Sequence, residues 1–270
     1  MIPTLYKLFR KWIPLQKYNI NYVAKRVGEY SFVSGVETHE NYVLVLFSNG
    51  VKLIVRDYHH SDYALFRQQF YDEEYKNAYL LVEKHSDQHP VVIIDAGANV
   101  GYSSIYFKTK LPDAIIYAIE PSETNAGLIR QNIALSNMAS NIHVYERALT
   151  GKAGAQFDIS SDFRDHKAWS TTTVESAAGQ VKGITLQELV QENTLRYISL
   201  LKMDIEGAER FVFGPDANLD FLNITYVVAI EIHDEFNCRE SIYQTLRTYG
   251  FNIVENGETT FGLNTRLINA

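Results

Sequence analysis

The sequence of 270 residues holds a single cysteine, Cys238, which excludes an internal disulfide framework and a cysteine-rich zinc site. Long apolar runs are missing, and stretches such as residues 226–230 are far too short to cross a bilayer. No apolar segment with a small-residue cleavage site follows Met1, so we expect no cleaved secretory signal and take the cytoplasm as the default location. The 46% hydrophobic and 21% charged residues are typical of a globular chain.

A general basic surface is also missing. The 25 basic and 32 acidic residues give a net charge of −7, which argues against nucleic acid as a partner. Residues 1–28 are an exception, with six basic residues and no acid, and residues 5–13 have the spacing of an amphipathic helix. We favour a helix packed on its own domain or on a second subunit, as in a homodimer. Peripheral membrane contact through residues 1–16 is the alternative.

The remaining chain divides into two zones. Residues 30–56 carry strand patterns, and an Asn-Gly pair at positions 49–50 predicts a hairpin. Ser61-Asp62 predicts the cap of one helix running to about residue 84. We therefore predict an N-terminal appendage over residues 1–85 and a second domain over residues 86–270.

The second zone alternates short apolar runs with helical segments, which predicts a mostly parallel sheet with helices on both faces. An irregular or hairpin insertion is expected near residues 151–181, where helical periodicity is absent. The predicted strands are residues 91–94, 114–119, 142–145, 198–203 and 226–232, and the predicted helices lie near residues 100–109, 122–137, 185–193, 206–213 and 239–249.

A glycine-containing loop follows the first of these strands. Asp95 ends the strand, and Gly97 and Gly101 allow a sharp turn into a helix whose N-terminus favours an anionic group. The G-x-G-x-x-G pattern of dinucleotide sites is absent. Glu120 ends the next strand, where an acid can bind ribose hydroxyls. A nucleoside ligand without a pyrophosphate fits this pair, and S-adenosylmethionine (SAM) is such a ligand. The alternative is a turn and a capping acid in an unrelated α/β protein.

Several motifs in the same order resemble the FkbM-type SAM-dependent methyltransferases, over roughly residues 50 to 255. They are the loop at 95–101, Ile119-Glu120-Pro121, Ala148-Leu149 with Gly154, the run at 200–209 (LLKMDIEGAE), and Ile230-Glu231-Ile232-His233. Ser61-Asp62 and Glu74-Tyr75 are similar to the segment upstream of the family's SAM loop. The resemblance implies a Rossmann-like class I methyltransferase fold, with a seven-stranded sheet whose last strand is antiparallel. It also implies O-methylation of a hydroxyl on a sugar, glycan or polyketide-type product.

The resemblance further implies roles for individual residues in binding SAM. Asp95 would order the loop or reach the SAM ammonium, and Glu120 would bind the ribose. Arg147 would contact the adenine edge, with a solvated surface charge as the alternative. The full expected set is Asp95, Gly97, Ala98, Asn99, Gly101, Glu120, Pro121, Ser122, Arg147, Ala148 and Asp204.

Three residues are catalytic candidates: Asp204, Glu231 and His233, each at the carboxyl end of a predicted strand. An alcohol must lose its proton as the oxygen attacks, so His233 is the first candidate for the base. Glu206 and Glu209 open the next helix, where the dipole alone favours acids. A Mg²⁺ ion held by carboxylates at this edge is an open alternative. A non-catalytic scaffold that binds SAM or another nucleoside is the competing function.

Overall fold

The computed structural model describes residues 19–57, 60–85, 90–160, 172–176 and 178–268. The predicted basic helix over residues 5–13, and the membrane contact through residues 1–16, lie outside these ranges. Within them, no helix combines the length and the apolar character that crossing a membrane requires. The first described helix is α1 (Ile20–Gly28), and the side chain of Asn19 caps it by accepting a hydrogen bond from the Tyr22 amide.

The chain then forms a three-stranded antiparallel sheet. Its strands are β1 (Val33–Thr38), β2 (Tyr42–Phe47) and β3 (Lys52–Arg56), in that order. The predicted hairpin is confirmed, because β2 pairs with β3 and Gly50 takes a φ of +89° in the turn. The alternate residues of β2 are buried, so this sheet has one face in the core.

The single helix predicted over residues 62–84 is wrong, because two helices are present. They are α2 (Asp62–Phe70) and α3 (Lys76–His85). Glu73 lies between them with a φ of 47°, a left-handed conformation that breaks the helical path. Its carboxylate is held at 2.7 Å by Lys110, on the helix that follows the glycine loop.

The helix start predicted at Ser61-Asp62 is confirmed, but the capping hydrogen bond expected there is not formed. Ser61 occupies the N-cap position of α2, but its side chain makes no capping hydrogen bond. The Asp62 carboxylate turns away from the helix and pairs with the Arg56 guanidinium at 2.8 Å. A buried ion pair has therefore replaced the expected cap.

The rest of the chain alternates strands with helices. The strands are β4 (Val92–Ala96), β5 (Ile115–Ile119), β6 (Ile142–Tyr145), β7 (Ala148–Leu149), β8 (Gln156–Ser160), β9 (Thr172–Glu175), β10 (Val181–Ile184), β11 (Ile198–Met203), β12 (Thr225–Glu231), β13 (Phe251–Asn256) and β14 (Thr259–Asn264). The helices are α4 (Tyr102–Lys110), α5 (Glu123–Leu135), α6 (Leu186–Glu192), α7 (Glu209–Val212), α8 (Arg239–Thr248) and α9 (Thr265–Ile268), with short 3₁₀ turns at Asp220–Ile224 and Asp234–Phe236.

Seven of these strands form the central sheet, in the order β13-β14-β12-β11-β4-β5-β6. The pairs from β12 through β6 are parallel, and β14, the last strand of the chain, is antiparallel to both neighbours. Successive residues Ile93 and Ile94 belong to separate core clusters on opposite faces. The predicted fold class is thereby confirmed: an α/β protein with a seven-stranded, mostly parallel sheet covered on both faces.

Strand β4 occupies the topological switch point of this sheet. The chain moves from β4 to β5 and β6 on one side, and later returns to β11 and β12 on the other. In open α/β sheets, ligands bind beside the carboxyl ends of strands at such a point. The carboxyl ends of β4, β5, β11 and β12 are called the switch-point edge below.

The predicted insertion forms most of a second sheet, which has four strands in the order β7-β10-β8-β9. Strands β8 and β9 pair antiparallel, as expected of a hairpin. Residues 161–171 and 177, between and after these strands, lie outside the described ranges.

One core cluster includes residues from both sides of the domain boundary predicted near residue 85. Val43 and Phe66, from the N-terminal segment, belong to the same cluster as Ile93 and Ile105, from the central sheet and α4. The N-terminal segment is therefore part of the packing that supports the sheet next to the glycine loop.

Candidate active site

The glycine loop brings two strand ends into contact. Gly97 has a φ of +75°, and a Cβ at this position would lie 1.7 Å from the main-chain oxygen of Asp204. Only glycine permits this approach between the ends of β4 and β11. The amides of Gly97 and Ala98 both donate to the carbonyl of Ile119, at 3.0 Å each. The loop is thus fixed by β5 and β11 together.

The second half of the loop leads into α4. Asn99 is left-handed, with a φ of 49°, and Gly101 is left-handed at the N-cap of the helix. A Cβ on Gly101 would lie 3.0 Å from the Ile129 side chain on α5. These conformations bring the N-terminus of α4 close behind the loop, where its partial positive charge favours an anionic group.

Glu120 is tied directly to this loop. Its Oε2 accepts the Asn99 amide at 2.9 Å and its Oε1 accepts the Ser122 amide at 3.0 Å. Burial raises the pKa of Glu120 to about 7, outweighing these hydrogen bonds, which lower it. A carboxylate offers about four acceptor positions, so Glu120 keeps acceptor capacity for a ligand.

Asp95 lies beneath the loop and is fully buried. It accepts hydrogen bonds from Ser103 and Ser104 at 2.6 Å each and lies 3.1 Å from the Lys202 ammonium. Lys202 also donates to the Gly97 carbonyl at 2.9 Å. Burial alone would lower the pKa of Lys202, but the charges of Asp95 and Asp204 raise it. Asp95 therefore links β4 to α4 and, through Lys202, to the loop, while its role toward SAM stays a prediction.

Several carboxylates meet at the switch-point edge. Asp204 follows β11, Glu231 ends β12, and Glu74 comes from the break between α2 and α3. Burial, with a smaller contribution from the Asp204 charge, raises the pKa of Glu74 to about 7. Burial and the Asp204 charge also raise the pKa of Glu231, against an opposing effect of His233. The edge therefore carries carboxylates that are stronger bases than ordinary ones.

His233 is enclosed by glutamates. Its Nδ1 lies 3.1 Å from Oε1 of Glu209, and its Nε2 lies 3.3 Å from Oε2 of Glu206. Burial alone would lower the pKa of His233, but the hydrogen bonds to the two glutamates raise it to about 11. At neutral pH the ring is then an imidazolium, which has no lone pair to accept a proton. This geometry does not favour His233 as the base.

Replacing His233 by Ala should lower the free energy of unfolding by about 3–5 kcal/mol, because it leaves the fully buried Glu209 carboxylate without its counter-charge. Denaturant unfolding measures the change. Adding Glu209→Gln to His233→Ala should restore part of the loss. A His233→Ala protein with wild-type stability but no turnover would instead return His233 to the role of base.

Three residues at this edge have ligand atoms close enough together for a cation site. One ligand atom from each of Asp204, Glu206 and His233 lies within 4.8 Å of the others. Mg²⁺ prefers oxygen ligands in an octahedral arrangement, and this set includes an imidazole nitrogen that already faces two carboxylates. The residues therefore do not fit the Mg²⁺ alternative, and the His233 ring provides positive charge at this place.

The residues expected around adenine lie in two different parts of the structure, the start of α5 and the segment around β7. Ser122 caps α5, where its Oγ accepts the Asn125 amide, and Pro121 precedes it at the end of β5. Ala148 is buried in β7 and pairs with β10. Arg147 lines a cavity of about 260 Å³ with Lys182 and Glu188, and no residue of the glycine loop lines that cavity. The adenine contact of Arg147 stays a prediction.

A known protein family shares the motifs that form this site. A family model described as the methyltransferase FkbM domain matches residues 95–253, more than half of the chain. The chain belongs to the FkbM methyltransferase family. The segment matched in this FkbM-family protein starts at Asp95 and includes Glu120, Asp204 and His233. The resemblance drawn from the motifs is confirmed, and the protein is a SAM-dependent methyltransferase.

Individual relatives of this FkbM-family protein are distant. The methyltransferase sdnD of Sordaria araneosa is 28% identical over 192 residues, which are 60% of this chain and 73% of that protein. The 31-O-demethyl-FK506 methyltransferase FkbM of Streptomyces tacrolimicus is 23% identical over 200 residues, 63% of this chain and 76% of that protein. Among solved structures, a SAM-dependent methyltransferase from Agrobacterium tumefaciens has a TM-score of 0.46 and 12% identity, covering 84% of this chain and 70% of that one.

Two features of this FkbM-family site are absent from the sequence-based expectations. The ion pair of Lys202 with Asp95 depends on the pairing of β4 with β11, which local sequence does not indicate. The contacts of His233 with Glu206 and Glu209 form because the turn after β11 folds back toward the end of β12. The LLKMDIEGAE run was the available signal, because it places Glu206 and Glu209 three residues apart.

Proposed function

We propose that this protein transfers the methyl group of SAM to a hydroxyl on a sugar, a glycan or a polyketide-type product. The main support for this proposal is that two features meet at the switch-point edge. One is the glycine loop, which is hydrogen-bonded to the buried Glu120, and the other is the pair of carboxylates of Asp204 and Glu231. The relative from Streptomyces tacrolimicus supports oxygen as the acceptor atom, because its name specifies 31-O-demethyl-FK506.

The residues around the loop fit a bound SAM molecule. Glu120 keeps acceptor positions for ribose hydroxyls, and the N-terminus of α4 suits the carboxylate of the methionine half. SAM supplies a methyl group already activated on a sulfonium, so the chain must align the acceptor oxygen and remove its proton. In this proposal the contacts are made by Gly97, Ala98, Asn99 and Gly101 on the methionine half, Glu120 on the ribose, and Pro121, Ser122, Arg147 and Ala148 around adenine.

Glu231 takes the hydroxyl proton in this proposal, with Asp204 beside it. Burial and the Asp204 charge raise its pKa to about 9, so the carboxylate is a stronger base than an ordinary glutamate, and the ionised fraction that can accept the proton grows as the pH rises. The Nε2 atom of His233 lies 4.0 Å from Oε1 of Glu231, so the imidazolium can hold Glu231 in place without touching the acceptor. The role of base thus moves from His233, which the sequence favoured, to Glu231.

Replacing Glu120 by Ala should weaken binding of S-adenosylhomocysteine by at least tenfold, because a hydrogen bond to a charged group contributes about 1.5–3 kcal/mol. Wild-type affinity should also fall as the pH drops below about 7, where Glu120 becomes protonated and loses acceptor capacity. That contribution to the pH dependence should be absent from the variant. Isothermal titration between pH 5.5 and 8.5 measures both effects.

The matched control is Glu123→Ala, which removes an exposed acid three residues further along the chain and should bind like the wild type. Unchanged binding by Glu120→Ala would contradict the placement of the ribose. Tight binding with no methyl transfer to a panel of hydroxyl acceptors would favour the alternative, a non-catalytic SAM-binding scaffold.

A further inference from the structure

A buried ion pair joins two elements of the N-terminal segment, the end of β3 and the start of α2. Arg56 ends β3, and its guanidinium forms a two-point contact with Asp62 through Nε at 2.9 Å and an Nη at 2.8 Å. The main-chain amide of Arg56 donates to the same carboxylate at 3.0 Å. Asp62 is fully buried, and the Arg56 side chain is 13% exposed. This arrangement fixes the plane of the guanidinium.

The same guanidinium reaches the central domain. The Nη atom of Arg56 that contacts Asp62 also donates to Oδ1 of Asn125, at 3.2 Å. Asn125 is a buried residue in the first turn of α5. A guanidinium only donates hydrogen bonds, so the oxygen of the Asn125 amide must face it and the NH₂ group must face away.

Asn125 in turn contacts the segment that holds Glu120. Its main-chain amide donates to Oγ of Ser122 at 3.4 Å, and the Ser122 amide donates to Glu120 at 3.0 Å. The Asn125 side chain also lowers the pKa of the Glu120 carboxylate, against the larger effect of burial. A continuous set of hydrogen bonds therefore runs from the end of β3 to the carboxylate beside the glycine loop.

We propose that Arg56 is a positioning residue for SAM binding, which acts through Asn125 on the orientation of Glu120. The inference rests on the proposed role of Glu120 at the ribose. Arg56 touches neither the glycine loop nor the ligand. Its contact with Oδ1 holds the Asn125 side chain in the first turn of α5, next to Ser122, whose amide binds the Glu120 carboxylate. The N-terminal segment thereby contributes to the donor site from outside the matched family segment.

The test is a double-mutant cycle on the full chain. Arg56→Lys keeps the charge beside Asp62, but one ammonium cannot reproduce the planar contacts to both Asp62 and Asn125. We expect this variant to bind S-adenosylhomocysteine on the order of tenfold more weakly, with a raised KM for SAM and an unchanged kcat at saturation. In a Glu120→Ala background the same change should alter affinity less than about twofold, because the group it positions is gone. Asn125→Ala should repeat both results while leaving the Arg56–Asp62 pair intact.

The control is Arg130→Lys, on the same helix α5, where an exposed pair with Glu146 should be indifferent to the change. Wild-type affinity in both Arg56→Lys and Asn125→Ala would overturn the inference and leave the role of Glu120 standing. An equal loss with and without Glu120 would also overturn it, since Arg56 would then act on the fold in general. Wild-type affinity in Glu120→Ala alone would overturn the proposed ribose contact, and this inference with it.

Discussion

Replacing Glu231 by Gln should lower kcat by roughly 10²–10⁴-fold, the usual contribution of a positioned general base. Glutamine preserves the shape of the side chain but cannot accept the proton that the hydroxyl loses. The affinity for S-adenosylhomocysteine should stay near the wild-type value, because Glu231 lies on β12 and makes none of the proposed donor contacts. Steady-state rates and isothermal titration on the same preparations separate the two quantities.

The pH profile gives an independent check on Glu231. Burial and the Asp204 charge raise its pKa, and only the ionised form can act as a base. Wild-type kcat should therefore fall as the pH is lowered, with a midpoint of about 9 rather than near the value of about 4.3 that is usual for a glutamate. In the Glu231→Gln variant, kcat should not show this fall as the pH is lowered.

Glu258→Gln is the matched control, since it makes the same change at an exposed glutamate whose charge also acts on Glu231. It should alter kcat only slightly. Wild-type turnover in Glu231→Gln would rule Glu231 out as the base. Loss of activity on dialysis against a chelator, restored by Mn²⁺, would instead assign Asp204, Glu206 and His233 to a metal ion.

The central sheet could be predicted from the sequence because its strands are buried on both faces. Strands of this kind are continuous apolar runs, and all six residues of β11 are buried. The expected strand at residues 198–203 coincides with β11. The first turn of α5 begins one residue after a serine that caps it, which local sequence also indicates.

The N-terminal segment was harder to predict because distant partners decide its local structure. Ser61-Asp62 has the composition of a helix cap, but the Arg56 guanidinium competes for the Asp62 carboxylate. The break at Glu73 is held by Lys110, which lies 37 positions away. No local pattern indicates either contact, and the apolar spacing of α2 continues into α3 without a signal for the break.

The charge on His233 could not be predicted for a related reason. An isolated histidine titrates near neutrality, which favours a base. The fold places Glu206 and Glu209 against its two nitrogens, and these carboxylates raise its pKa. The sequence identified the strand ends that carry the chemistry, but the charge on each group depends on which neighbours the turn after β11 brings to it.

Replacing Gly97 by Ala should abolish detectable binding of S-adenosylhomocysteine. The new Cβ would lie 1.7 Å from the Asp204 main-chain oxygen, so the ends of β4 and β11 would have to separate. A left-handed alanine costs about 1–2 kcal/mol, and overpacking adds typically about 1–3 kcal/mol. Denaturant unfolding and isothermal titration measure the two consequences.

Gly154→Ala is a control matched in backbone conformation. Gly154 has a φ of +74°, close to the +75° of Gly97, but a Cβ there would have no neighbour within 4 Å. It should therefore show only the backbone cost of about 1–2 kcal/mol and bind the ligand normally. The difference between the two variants isolates the close approach of β4 and β11 from left-handed strain. Equal stability and intact binding in both would mean that this contact does not shape the donor site.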